Sequence, residues 1–319
     1  MKFFTKIPLG ISGVALALSG LGNLVAFPGG LIAYPLSEYV RYSLGVLAVA
    51  VLFLFIMRIV SDLQGVRADL QSSVLFSILP TSTMATILLS TYLASYALTA
   101  AQIIWATAAI IQICIMAAFA KRFIRNFKLI NVYPSWYVTA VGIQAIAIAS
   151  PYMGAQAIGQ VVFWIGFALY FVITILVIAR YSKHYPLPER YRPTVMVLTA
   201  PMGICIAGYL SAFSVVSVPL LIFMLLVQAA SFCIGLYCLP GLVRLSFYPS
   251  LAALGFPTVV NAFAFKRGSE YLTAAGYHIW TTPVLLTELL AIVVVCYVVV
   301  RYTVYLYRES VSVKGTACD

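Results

Sequence analysis

Few residues in this chain have the types and spacing that chemistry needs. Glu288, in the run "LLTELLAIVVV", is the only carboxylate well inside a strongly apolar stretch. An ionisable group in hydrocarbon is costly to bury, which makes it a functional candidate by default. A proton relay needs several such groups, and none accompanies it; a structural hydrogen bond to a neighbouring helix or subunit is the competing reading. Imidazoles are limited to His184 and His278. The cysteines, Cys114, Cys205, Cys233, Cys238, Cys296 and Cys318, lie mostly in apolar runs and form no C-x-x-C pair. They read as small buried residues, and no metal site is expected. H-E-x-x-H, Walker A and G-x-S-x-G motifs and the paired-aspartate diphosphate box are all missing. With no convergent nucleophile, acid or base, neither an enzyme nor a cofactor is expected.

The chain's other unusual residues act through the backbone. The stretch "LAALGFPTVVNAFAF", residues 251–265, is apolar enough for a membrane, yet it sets Phe256 before Pro257 in mid-run. Proline lacks the N–H that a helix interior uses, and hydrocarbon offers no water in its place. Pro8 in "IPLGISG", Pro80 in "LPTSTMA" and Pro201 in "APMGICIAGY" recur in comparable runs, each followed by small or hydroxyl residues: Gly10 and Gly13, Thr83, and Gly203. A fifth run, "VTAVGIQ", carries Thr139 where a proline would complete the pattern, with Gly142 close behind. Consecutive positions are 72, 59, 62 and 56 residues apart, an irregular repeat of about 60 residues of the kind that marks a reiterated structural unit. Asn261, four residues after Pro257, stands where its amide can reach a carbonyl freed by the break. The other amides, Asn23, Gln112, Gln144, Gln160 and Gln228, read as interhelical hydrogen-bond donors and acceptors.

The elements that carry these residues follow from composition. Of 319 residues, 63% are hydrophobic and 8% charged, so the chain belongs in lipid. Apolar stretches of roughly 17–25 residues mark spanning helices. Ten are predicted, near 7–27, 39–60, 74–97, 101–120, 135–150, 153–179, 194–214, 217–243, 247–265 and 281–303. They form a single domain over 1–310, followed by a short tail at 311–319. Lys2 and Lys6 before an apolar run, with "ALA" at 15–17, resemble a leader, but apolarity continues to Phe27 and a first span is the better reading. "KGTACD" does not fit a prenylation box.

The net charge of +11 has a topological cause. With the N-terminus inside, 16 lysines and arginines fall on the inner side, and only Arg41, Lys266 and Arg267 fall outside. That asymmetry predicts both termini in the cytoplasm of a multi-pass cell (inner) membrane protein and leaves no patch calling for nucleic acid. Short uncharged outer connections at 97–100, 150–153 and 214–217 force neighbouring spans into antiparallel hairpins, five in all. Even-numbered spans such as "VLAVAVLFLFIM" are bulky and continuously apolar. Odd-numbered spans carry the Gly, Ser, Thr and Pro. Small residues permit close helix approach, and irregular backbone is tolerated where it is buried in protein or lines a watery cavity. Two arrangements fit: a tightly packed bundle, or a central pore walled by odd helices inside an outer even ring.

Five segments taken together resemble one known family: "KIPLGISGVALALSG" (6–20), "LQSSVLFSILPTSTM" (70–84), "YPSWYVTAVG" (133–142), "RYRPTVMVLTAPMGICIAGYLS" (190–211) and "LAALGFPTVVNAFAF" (251–265). The chain is similar to the tellurite-resistance/dicarboxylate transporters, which include bacterial TehA proteins and plant guard-cell slow anion channels. The resemblance implies a homotrimer in which each protomer has its own pore. Lys6, Pro8, Gly10, Gly13, Pro80, Thr83, Thr139, Gly142, Pro201, Gly203 and Asn261 would then line that pore, with Phe256 as its plug and Pro257 beside it. Relatives usually carry glycine where Lys6 stands, so a cation at the inner mouth would attract anions or narrow the passage. The implied function is an anion channel for chloride or nitrate. The alternative on the same fold is a transporter of C4-dicarboxylates, sulfite or tellurite, for which Glu288 would be the coupling acid. Partners are then small inorganic anions or carboxylates and the bilayer. An anion held only by small polar groups and backbone dipoles leaves fast, as conduction requires.

Overall fold

The computed structural model describes residues 3–183, 186–278 and 281–315, and these residues contain helices and no strand. A 3-10 turn, Phe4–Lys6, precedes helix α1 (Ile11–Ala26), and α2 (Leu36–Ser61) follows. Short helices α3 (Leu63–Asp69) and α4 (Ser73–Ser77) lead into α5 (Pro80–Leu93), and α6 (Leu98–Phe119) ends in a π-turn, Ala120–Ile124. The fifth segment is split into α7 (Trp136–Val141) and α8 (Gln144–Ala149); α9 (Gln156–Ser182) is continuous. A 3-10 stretch, Glu189–Thr199, precedes α10 (Pro201–Ala212), and α11 (Val218–Val243) comes next. Another, Pro249–Leu254, runs directly into α12 (Gly255–Ala274), and α13 (Thr281–Gly315) closes the chain. His184 and Cys318 lie outside the described residues.

Among the described residues, seven helical stretches are long and apolar enough to cross a bilayer: 36–61, 73–93, 98–124, 156–182, 189–212, 218–243 and 281–311. The remaining three predicted spans take other forms. Helix α1 has 16 residues and α7 and α8 have six each. Helix α12 has 20 residues but carries Lys266, Arg267 and Glu270. At the far end α13 continues to Gly315, past the predicted start of the tail at 311.

The prolines occupy different positions from those expected of mid-helix kinks. Pro80 and Pro201 are first residues of α5 and α10, Pro257 is third in α12, and Pro8 precedes α1. A first-turn N–H has no intrahelical acceptor, so proline there loses nothing, and its fixed φ suits a helix start. The carbonyls ahead of each start are bonded in tighter turns: Leu79 N–H donates to Phe76 O at 3.1 Å and Ala200 N–H to Val197 O at 3.2 Å. Hydroxyls add i−3 bonds, from Ser77 to Val74 O (2.9 Å), Thr81 to Ile78 O (2.7 Å) and Thr199 to Met196 O (2.9 Å). The fifth segment breaks at Gly142 and Ile143, without proline and three residues beyond Thr139.

Helices α1, α5, α8, α10 and α12 pack each on the next, and α12 returns to α1, closing an inner ring. The long helices α2, α6, α9, α11 and α13 lie against it from outside. Burial follows this division. In the most apolar stretch of 189–212, 83% of residues are buried, against 22% in that of α2. Val46, Val49, Phe53, Ile56 and Val60 on α2 face outward, as a lipid-exposed surface requires. Three cysteines read as buried, Cys114, Cys233 and Cys296, are on that exposed surface. In lipid a small apolar residue needs no burial in protein.

The amides join neighbouring elements. Gln112 accepts from Thr83, Gln144 Nε2 donates to Phe163 O at 3.0 Å, and Gln160 Nε2 donates to Ala212 O at 3.1 Å. Asn261 is fully buried. Its Nδ2 donates to Thr199 Oγ1 (2.9 Å) and to Pro257 O (2.5 Å), while its Oδ1 accepts from Gln228. An Asn261→Leu change removes one buried hydrogen bond from each of three polar partners, so thermal unfolding of purified protein should show a loss of about 1–3 kcal/mol. An unaltered melting temperature would mean that these groups find other partners.

Candidate functional site

Among the described residues, helices of the ring line two adjoining cavities. The first, about 310 Å³, is walled by residues of α1, α5, α7, α10 and α12 and of the 3-10 stretches before α10 and α12. Gly10, Gly13, Gly142, Pro201, Phe256 and Pro257 are on its wall, together with Thr81, Thr194 and Arg190. The second, about 260 Å³, is bounded by Gly20, Asn23, Arg41, Thr91, Ser211 and Arg267, among others. Phe256 borders both cavities.

The position of Phe256 follows from the close contact of α1 with α12. Glycine or alanine recurs on one face of α1 at 13, 17 and 20, the spacing of neighbouring residues on a helix. A Cβ on Gly13 would stand 3.1 Å from Ala252 Cβ, and one on Gly255 would stand 2.8 Å from Ala17 Cβ. Gly20 completes the row: a Cβ there would lie 3.2 Å from Phe256 Cε2. The glycine therefore provides the slot for the ring edge, and the half-buried ring extends between the two cavities.

The remaining predicted site residues lie elsewhere. Lys6 is exposed on the first 3-10 turn, where its carbonyl accepts from Tyr305 Oη at 3.1 Å. Pro8 and Pro80 begin or precede helices without lining either cavity. Thr83 is turned toward α6 through Gln112, and Thr139 Oγ1 donates to Ser77 O at 3.0 Å, joining α7 to α4. Gly203 is covered by Gln228 and the Val260 carbonyl. Asn261 is occupied by the bonds given above.

Glu288 is not a lone acid. Its Oε2 lies 3.1 Å from Lys266 Nζ, and its Oε1 accepts from Leu31 N–H at 3.2 Å. Lys266 was expected in an outer loop; it is 4% exposed, because α12 continues nine residues past the predicted end of the span at 265. Its other two bonds go to Leu24 O (3.2 Å) and Phe27 O (2.9 Å) at the end of α1.

Sequence reasoning missed the two arginines of the second cavity. Arg267 Nη1 donates to Ser211 Oγ at 3.0 Å and Nη2 to Leu210 O at 2.8 Å, and Arg41 Cζ stands 4.5 Å from the centre of the Tyr92 ring. A signal existed: Phe256, Val260, Phe263 and Arg267 fall at i, i+4, i+7 and i+11, one face of a helix. Ending the span at 265 cut that face short.

A family model described as voltage-dependent anion channel matches residues 3–302. Among curated proteins, an uncharacterized transporter of Methanocaldococcus jannaschii is 29% identical over 180 residues, covering 52% of each chain. A tellurite resistance protein TehA homolog of Haemophilus influenzae is 26% identical over 212 residues, covering 64% of this chain and 62% of that one. The matched region thus spans only about half to three-fifths of these relatives' lengths.

Proposed function

Because the chain belongs to the voltage-dependent anion channel family, we propose that it conducts small monovalent anions such as chloride and nitrate through a pore within each protomer, gated by Phe256. In this reading the ten segments cross the cell (inner) membrane as five hairpins, both termini are cytoplasmic, and three protomers associate as a homotrimer. The first cavity opens inward and the second outward. One observation carries the reading: Phe256 is the residue common to the walls of two cavities lined by inner-ring helices. The excess of inner-side lysine and arginine supports the orientation. The first cavity's wall, largely of carbon atoms with the Thr81 and Thr194 hydroxyls and Arg190 as polar groups, supports weak binding and rapid exit.

The alternative, a proton-driven exporter of dicarboxylates, sulfite or tellurite, has Glu288 as its coupling acid. That carboxylate is paired with Lys266 and lines neither cavity, which favours the channel. Purified protein in liposomes distinguishes the two. Chloride and nitrate fluxes are expected without a pH gradient, with malate and sulfite severalfold slower, since stripping water from a divalent ion costs more. Uptake abolished by collapsing a pH gradient would overturn the channel reading in favour of the carrier.

A further inference from the structure

We propose that the second cavity is an anion-binding vestibule in which Arg267 holds one partly hydrated monovalent anion against the Phe256 ring. The inference rests on the channel reading and adds a site, its ligand charge and its principal residue.

The charge count comes first. Two guanidinium groups and one carboxylate, Glu38, line this cavity. Glu38 Oε2 lies 3.5 Å from Arg41 Nη1 and offsets that cation. No carboxylate among the described residues is within ion-pairing distance of Arg267; Glu270, one turn along α12, is exposed. One uncompensated positive charge therefore remains. A monovalent anion balances it, whereas a dicarboxylate would bring a second negative charge to a site that already contains Glu38.

The donors are arranged for such a ligand. A guanidinium carries five N–H groups. Among the described residues Arg267 uses two of them, on Ser211 Oγ and Leu210 O, and both acceptors are neutral. These bonds fix the head group without cancelling its charge. The Phe27 and Phe263 rings lie 5.4 and 5.9 Å from its Cζ, an apolar surround in which the remaining N–H groups attract an anion more strongly than in water. Across the cavity Arg41 Nε is buried and has no hydrogen-bond partner, and Asn23 adds an amide. The volume of about 260 Å³ holds a halide or nitrate with several waters, each taking about 30 Å³. Complete dehydration is therefore not required at this stage. Bound there, the anion sits on the far side of Phe256 from the first cavity, where ring displacement would admit it.

Bromide crystallography and flux assays test the proposal together. In crystals of the full chain grown in bromide, anomalous density is expected between Arg41 and Arg267 and should disappear in excess chloride. In liposomes at sub-saturating chloride, Arg267→Gln is expected to lower chloride flux about tenfold, the scale of one charge-assisted hydrogen bond. Arg267→Lys, which keeps the charge, should retain most of that flux. A wild-type chloride flux in both Arg267→Gln and Arg41→Gln would overturn the site, as would bromide absent from the cavity or not displaced by chloride. If Arg267→Gln fails to fold, the wild-type bromide result decides alone. Wild-type protein that binds bromide there but passes no anion would refute the channel reading while leaving the site intact.

Discussion

Replacing Phe256 with alanine is expected to raise chloride flux severalfold or more in liposomes containing equal amounts of folded protein. The ring edge rests in the slot over Gly20, and the ring is the shared wall of cavities of about 310 and 260 Å³. Truncation to a methyl group joins them. The cost in stability should stay below the ~3–5 kcal/mol typical of a Phe→Ala change in a packed core, because this ring is only half-buried and already faces open space on two sides. Pro257 stays in the first turn of α12 in the variant as in the parent, so the backbone has no reason to move. Phe256→Trp, which keeps a ring in place, should hold flux at or below the parental level. Equal flux for Phe256→Ala and parent would remove Phe256 from the gating role and with it the main support for the proposed pore.

Much of this arrangement can be read from residue types. The alternation of small-residue with bulky apolar runs separates the inner ring from the outer helices, since one set must allow close contact and the other must meet lipid. Less legible is what proline does here. Pro80, Pro201 and Pro257 predict breaks, and the breaks exist, but each proline begins or nearly begins an α-helix after a tighter turn. Local sequence identifies the lost N–H without saying which neighbouring carbonyls remain bonded. In the fifth segment the same logic reaches Thr139, whereas the chain breaks at Gly142, which no proline announces. Apolarity also misplaces a boundary. Lys266 and Arg267 end the hydrophobic run and so read as loop, yet each is held by groups far away in sequence: Lys266 by α1 and α13, Arg267 by the end of α10. Long-range partners of that kind leave no mark within a window of one span.

The largest stability effect should come from that buried pair. Lys266 Nζ spends its three N–H bonds on Leu24 O, Phe27 O and Glu288 Oε2, and the pair's side chains are 5% and 1% exposed. Gly30 closes over it, since a Cβ there would lie 2.7 Å from Glu288 Oε1. The pair thus ties the end of α1, the loop after it, α12 and α13 at one point. Removing one partner leaves a charge buried without compensation, and Lys266→Met or Glu288→Leu should each lose about 3–5 kcal/mol in thermal unfolding. The double variant should recover much of the loss, because two apolar side chains leave no orphaned charge; additive losses would show that the ions contribute independently. Glu288→Gln then separates structure from transport. It lowers stability, but the chloride flux of the fraction that remains folded should match the parent and should not depend on an imposed pH gradient. Flux lost in step with proton coupling, in protein that still melts cooperatively, would make Glu288 a transport residue and favour the carrier.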